Sequence, residues 1–300
     1  MPPLSGRALV AKMCLAQRLR FWVWRATMKV RGPAPWGAAA GLALALLAAC
    51  GDPVRSRFEA GEAAAAAGHT EEAIGFFKEV AIGTPSHELA ARAWIEVAEL
   101  YYRDHRDVFL ARSAAERVLR DYPNREAVLR RAEELLAQIF DADLGDPERA
   151  VYYYERLLEN GASARKRGEY SYRMGECYYL MREFPLAMKA FGPVADNPKM
   201  GALQVQARMR IARIHMLLGA TAAALESYRR ALELNPPAAI RELALVGRAD
   251  ALEALGRYEE ALQTVAALPH PERQAARRQR LEEKARNRRN PAVEWAKAGS

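Results

Sequence analysis

The chain has 300 residues, a formal net charge of +8, 51% hydrophobic residues and three cysteines. Residues 1–50 hold seven lysines and arginines and no acid, which leaves +1 for residues 51–300. The alkaline balance therefore gives no ground for nucleic-acid binding by that larger part. The three cysteines are Cys14, Cys50 and Cys177.

Lys29 and Arg31 precede a run of thirteen uncharged residues, Gly37 to Ala49. A bilayer span needs about 20 apolar residues, so this run is too short to cross a membrane. A basic segment, a short apolar segment and small residues at its end form the pattern of a cleaved secretory signal. Met28-Lys29 makes a more ordinary beginning for such a signal than Met1, and translation is expected to start there. Leu47-Ala48-Ala49-Cys50 resembles the lipobox of bacterial lipoproteins. The resemblance implies cleavage before Cys50 and a diacylglycerol and acyl lipid on its sulfur, with no other cofactor. It also implies outer-membrane placement facing the periplasm, because Gly51 stands where inner-membrane retention uses aspartate. The expected organisation is an extension and signal over 1–49, a lipidated tether over 50–57, a helical array over 58–271, and a basic capping helix and tail over 272–300.

From about residue 54 to 271 the same residue classes recur. Alanines that open a second helix stand at Ala73, Ala111, Ala150, Ala187, Ala224 and Ala261, at spacings of 38, 39, 37, 37 and 37. Ala187, Phe191 and Val194 match Ala224, Tyr228 and Ala231, and Ala73, Phe77 and Val80; each set forms one apolar helical stripe. Small residues of a first helix recur at Gly61, Ala98, Ala137, Gly175, Ala212 and Ala249, where a pair of helices can approach closely. Thr70 and Asp146 are expected N-caps, with Pro147 at a first helical position. Pro85, Pro123, Pro198, Pro236 and Pro271 mark breaks after a second helix, and the third unit has no such proline near Ala162.

These units resemble tetratricopeptide repeats, helix-turn-helix modules of about 34 residues. The likeness is carried best by Met174 through Ala187 to Pro198 and by Ile211 through Ala224 to Pro236, and the second unit adds Trp94, Val97, Ala98 and Tyr101. It implies an all-α fold, a right-handed superhelical solenoid of about six helix pairs closed by a C-terminal capping helix. A single pair buries too little to offset its backbone entropy, so stacking supplies the remainder. The segment from Pro271 to Arg289 reads as that cap, with Ala276, Leu281 and Ala285 as its apolar stripe; contact with anionic headgroups or an acidic partner is its alternative use.

No pattern points to catalysis. His69, His87, His105, His215 and His270 show no metal-ligand spacing, there is no nucleophile elbow, P-loop or dinucleotide fingerprint, and convincing strands are absent from the sequence. Neither a metal, nor a small-molecule substrate, nor nucleic acid is expected. Tyr101, Tyr154 and Tyr178 take core positions of the repeat, leaving Tyr102 and Tyr179 over. By the same resemblance, the inner face of the first helices lines a concave groove for partner proteins or peptides. The matching positions are Arg92, Glu96, Glu99, Tyr102, Tyr172, Arg173, Glu176, Tyr179, Gln206, Arg210 and Arg213.

Ala73, Phe77, Val80 and Pro85, then Ala90, Ala93, Ala98 and Tyr101, with Arg120-Asp121-Tyr122-Pro123, are similar to the family of the outer-membrane assembly lipoprotein BamD. That likeness implies a lipid-anchored, periplasm-facing scaffold in envelope-complex assembly. A pilotin-like lipoprotein serving pilus or secretin assembly, or a soluble cytoplasmic repeat adaptor, is the alternative.

Overall fold

The computed structural model describes residues 52–289. The lipobox, Cys50, the uncharged run, the expected start at Met28 and residues 290–300 lie outside the described residues. The chain divides into two units at Ser56 and Arg57. Of the first, only Asp52 to Ser56 are described, the opening turn of a helix; the second holds the repeats.

Thirteen α-helices and no strand occur among the described residues. They alternate as first and second helices of six pairs: α1 (Pro53–Ala66) with α2 (Thr70–Gly83), α3 (Glu88–Leu100) with α4 (Val108–Asp121), α5 (Glu126–Gln138) with α6 (Pro147–Glu159), α7 (Ala164–Leu180) with α8 (Phe184–Ala195), α9 (Ala202–Leu217) with α10 (Thr221–Glu233), and α11 (Ala238–Ala254) with α12 (Tyr258–Ala266). The last helix, α13 (Ala275–Arg289), packs on α12. Each helix packs mainly on its neighbours in sequence, and successive first helices also touch, as α3 does α5 and α9 does α11. This is the all-α solenoid with a terminal cap that the repeat pattern predicts.

The second-helix alanines Ala73, Ala111, Ala150, Ala187, Ala224 and Ala261 are all fully buried, which fixes the register of every pair. Opposite them the small first-helix positions admit large rings. A Cβ added at Gly175 would lie 2.7 Å from the Phe191 ring, and one at Gly61 would lie 2.8 Å from the Phe77 ring. Phe58 meets that same Phe77 with ring centroids 5.2 Å apart.

Local chemistry sets the helix ends. Asp146 Oδ1 accepts the Arg149 amide at 3.0 Å with Pro147 behind it, and Asp107 and Ser163 cap α4 and α7 in the same way. Thr70 does not cap: it is the first helical residue of α2, and its hydroxyl donates to Asp104 Oδ2 at 3.1 Å. All five expected prolines fall between α-helices. In the third unit Gly161, at φ +74°, reverses the chain where a proline is missing.

Four details differ from the sequence pattern. Helix α1 opens at Pro53, inside the stretch expected as a tether, because Asp52 accepts the Val54 amide at 2.9 Å and proline suits a first helical position. Tyr101 and Tyr178 are only half-buried, their hydroxyls engaged by Lys78 and Glu155. In α13, Leu281 and Ala285 are buried but Ala276 is exposed. The fourth concerns the unequal spacings: α3 and α5 each end in a π-helical turn, Tyr101–His105 and Ile139–Asp143. Thirteen positions separate Ala98 from Ala111 and Ala137 from Ala150, against twelve in the other four pairs, and the wider turn takes up the extra residue.

Candidate functional site

The first helices share one face of the stack, and polar side chains cross it from helix to helix. Glu62 of α1 reaches Arg92 of α3 at 3.4 Å. Glu96 and Glu99 of α3 both grip Arg131 of α5, at 2.9 and 2.8 Å. Glu134 of α5 lies 3.6 Å from Lys166 of α7 and accepts the Tyr170 hydroxyl. Glu176 of α7 meets Arg210 of α9 at 2.6 Å. At the far end Asp250 and Glu253 of α11 take Arg277, Arg280 and Lys284 of α13. In each step the acid stands on the earlier helix and the base on the later one.

Burial shifts several of these groups. The Glu176 carboxyl is held above the usual carboxylate range by burial, which outweighs the nearby Arg210 guanidinium. The Tyr102 phenol is raised by burial and by the bond it donates to Asp143 at 2.9 Å. Under this face, Cys177 is fully buried, and its thiol is pushed up to about 12 by burial and then by Asp141, 3.7 Å away. Tyr154 donates to that same Asp141 at 3.0 Å. Asp141 and Asp143 both belong to the second π-helical turn, which so ties α3, α6 and α7 together.

Two clefts open on the face. The larger, about 640 Å³, lies where α7, α9, α10 and α11 meet and is lined by Tyr172, Gln206, Met209, Arg210, Arg213, Met216, Leu217, Tyr228, Leu243, Val246, Gly247 and Asp250. Leu217 and Leu243 stand 57% and 62% exposed there, high for leucines beside a cleft. Gly247 is required by the fold: a Cβ there would collide with the Tyr228 ring. The smaller cleft, about 300 Å³, is lined by Glu99, Tyr102, Arg103, Arg131, Glu134, Leu135 and Gln138.

The eleven expected groove residues do not form one continuous lining. Tyr172, Gln206, Arg210 and Arg213 line the larger cleft, Glu99 and Tyr102 the smaller. Arg92, Glu96, Arg173, Glu176 and Tyr179 line neither. Arg92, Glu96 and Glu176 are engaged in the cross-helix pairs, and the Tyr179 ring lies beneath the Arg210 guanidinium, 5.5 Å from its centroid. The pattern missed α5 entirely, with Arg131, Glu134 and Gln138, and it missed the apolar wall of Met209, Met216, Leu217, Leu243 and Val246. In that wall Met209 and Met216 pack beside Tyr228 of α10 and Val246 beside the α11–α12 core, while Leu217 and Leu243 stay exposed.

Among the described residues no group of three histidines, cysteines or acids converges as metal ligands, and no helix is long and apolar enough to cross a membrane.

Residues 205–237, covering most of α9 and all of α10, match the model of the tetratricopeptide repeat. This stretch is one tetratricopeptide repeat, and the all-α array around it is similar in fold to solved tetratricopeptide repeat proteins. A tetratricopeptide repeat protein from Parabacteroides merdae superimposes with a TM-score of 0.52 at 17% identity, covering 72% of this chain and 78% of that one. MamA gives 0.50 at 17% identity over 64% of this chain and 96% of its own. PilW, described as a type IV pilus biogenesis factor, gives 0.48 at 16% identity over 77% and 99%. At such identities the likeness is one of fold. No curated protein matches the sequence. The larger cleft lies mostly on the matched repeat and the first helix after it, with Tyr172 added from α7 before it.

Proposed function

We propose that this tetratricopeptide protein is a lipid-anchored scaffold of the bacterial envelope, facing the periplasm, that holds a segment of a partner protein in the cleft between α7, α9 and α11. The observation that carries the binding half is that cleft: about 640 Å³, with the exposed Leu217 and Leu243 beside Arg210 and Arg213. A cleft of that size, apolar with a few convergent polar groups, is suited to side chains of another molecule. The anchoring half is supported by the sequence, through the basic and uncharged run that ends in Leu47-Ala48-Ala49-Cys50. A mature lipoprotein carrying two or more acyl chains would stay membrane-bound, since a single chain gives only marginal binding. Assembly of envelope complexes, in the manner of the BamD family, is the role that joins the two halves.

The deciding experiment is the intact mass of the protein recovered from the membrane fraction, beside Cys50→Ala. A mass of Cys50 to Ser300 plus acyl chains, lost in the variant, supports the anchor. An unmodified chain that keeps its basic N-terminal segment refutes it and leaves a repeat adaptor in the cytoplasm. Co-purification from gently solubilised membranes then separates roles: a large β-barrel partner supports outer-membrane assembly, whereas a secretin or pilus component supports the pilotin-like alternative.

A further inference from the structure

The ladder of acid–base pairs along the first helices has one missing rung. Every other step between successive first helices, and the step from α11 to the cap α13, carries a carboxylate from the earlier helix onto a cation of the later one. The step from α9 to α11 carries none among the described residues. The cause lies in composition: α9, ALQVQARMRIARIHML, contains no acid at all. Its Arg210 turns back to Glu176, Asp250 of α11 turns forward to Arg277, and Arg213 is left without an ion pair among the described residues. The larger cleft opens at this same step, with Leu243 and Val246 where α11 would otherwise answer α9.

We infer that a partner completes this rung: a segment of a protein partner bearing an aspartate or glutamate side chain beside a large apolar side chain. The carboxylate bonds to the Arg213 guanidinium, and the apolar side chain lies against Leu243, Met209 and Leu217. Charge complementarity selects an acidic residue, because the cleft's one acid, Asp250, is already held at 2.6 Å by Arg277. The apolar wall selects the flanking residue, since exposed leucines gain most by covering. The inference rests on the binding role proposed above and names the chemistry of what is bound.

The test pans a phage-displayed library of random dodecapeptides on the full-length chain in mild detergent, then measures amidated synthetic copies of the enriched peptides by fluorescence anisotropy. Enriched peptides should pair Asp or Glu with a neighbouring Leu, Phe or Trp. Their affinity should fall about tenfold or more on Arg213→Ala, as a charge-assisted bond implies, and should fall likewise on Leu243→Asp. It should also weaken as salt rises. Acidic peptides indifferent to Arg213→Ala, or enriched peptides without an acid, overturn the inference. Peptides displaced only by Tyr102→Ala would place binding in the smaller cleft; the scaffold role would stand and this inference would fail. Enrichment of no peptide at all would count against both. Peptides that bind only a chain ending at Arg289 would assign the cleft to this chain's own residues 290–300, which include Glu294 and Trp295, and would overturn the assignment to a partner.

Discussion

The same substitution, glycine to alanine, should have opposite signs at two positions of this array. At Gly175 the new Cβ would sit 2.7, 2.8 and 2.9 Å from three carbons of the Phe191 ring, all well inside ordinary contact. Phe191 is fully buried, and its other side meets Tyr172 at 5.4 Å between centroids, so the ring has nowhere cheap to go. Overpacking of this kind costs about 1–3 kcal/mol, while alanine returns about 1 kcal/mol of helix preference over glycine. The net expectation for Gly175→Ala is a loss of about 1 kcal/mol. Gly75 lies in α2, exposed, with nothing within 4 Å of an added Cβ. There only the preference remains, and Gly75→Ala should stabilise by about 0.5–1 kcal/mol. Urea midpoints followed by circular dichroism measure both, and a third variant, Gly175→Ala with Phe191→Leu, should lose less than the sum of its parts because the two sites are in contact. If Gly175→Ala raises the midpoint as Gly75→Ala does, α7 and α8 do not approach as closely as the Phe191 ring requires, and the reasoning for every small first-helix position falls with it.

Arg156→Ala should be among the most damaging surface-side changes, because it strips Glu133, which is fully buried, of a guanidinium 2.6 Å away. Stranding a buried charge costs about 3–5 kcal/mol; the low end is expected here since Arg156 is partly exposed, and adding Glu133→Leu should recover most of it in the same urea assay. Cys177 should resist thiol reagents in the folded chain at neutral pH and react fully once urea unfolds it. Its ionisation near 8.5 when unfolded, against about 12 when folded, means that stability from this group is intact below about pH 8 and is lost as pH rises through that window. The fall above pH 9 should therefore be shallower in Cys177→Ala. Asp146→Ala should cost about 1 kcal/mol by removing the α6 cap. Because the Arg149 amide and guanidinium hold the Asp146 carboxyl below its usual range, the cap's contribution should disappear as pH falls through that lowered value.

Much of the fold was readable because the repeat is written twice over, in buried alanines every 37 to 39 positions and in a small residue facing each large ring. Caps followed where side-chain chemistry is local, as at Asp146; Thr70 failed because Asp104, 34 positions on, competes for its hydroxyl. Glu133 could not be read as buried, since what makes it tolerable is Arg156 on the next helix and Asn160 just past its end. The site was legible only in part for a related reason. Motif positions identify which residues face inward from a first helix, so Arg210 and Arg213 were found. They do not say which of those residues are already satisfied by the helix next door, and that decides where the face is open. Leu243 was overlooked because an apolar residue on a helix is ordinarily core, and only the stacked array leaves it exposed.

The π-helical turns carry a lesson about how such an array can vary in length. One residue inserted in mid-helix rotates everything after it by about 100° and would swing an apolar stripe off its neighbour. Placed in the last turn before the chain reverses, the insertion is swallowed by a loosened coil, and Ala111 and Ala150 return to the same buried register as their counterparts. Length is thereby uncoupled from stacking order, and modules of unequal size can be spliced into one continuous pile without any of them losing step.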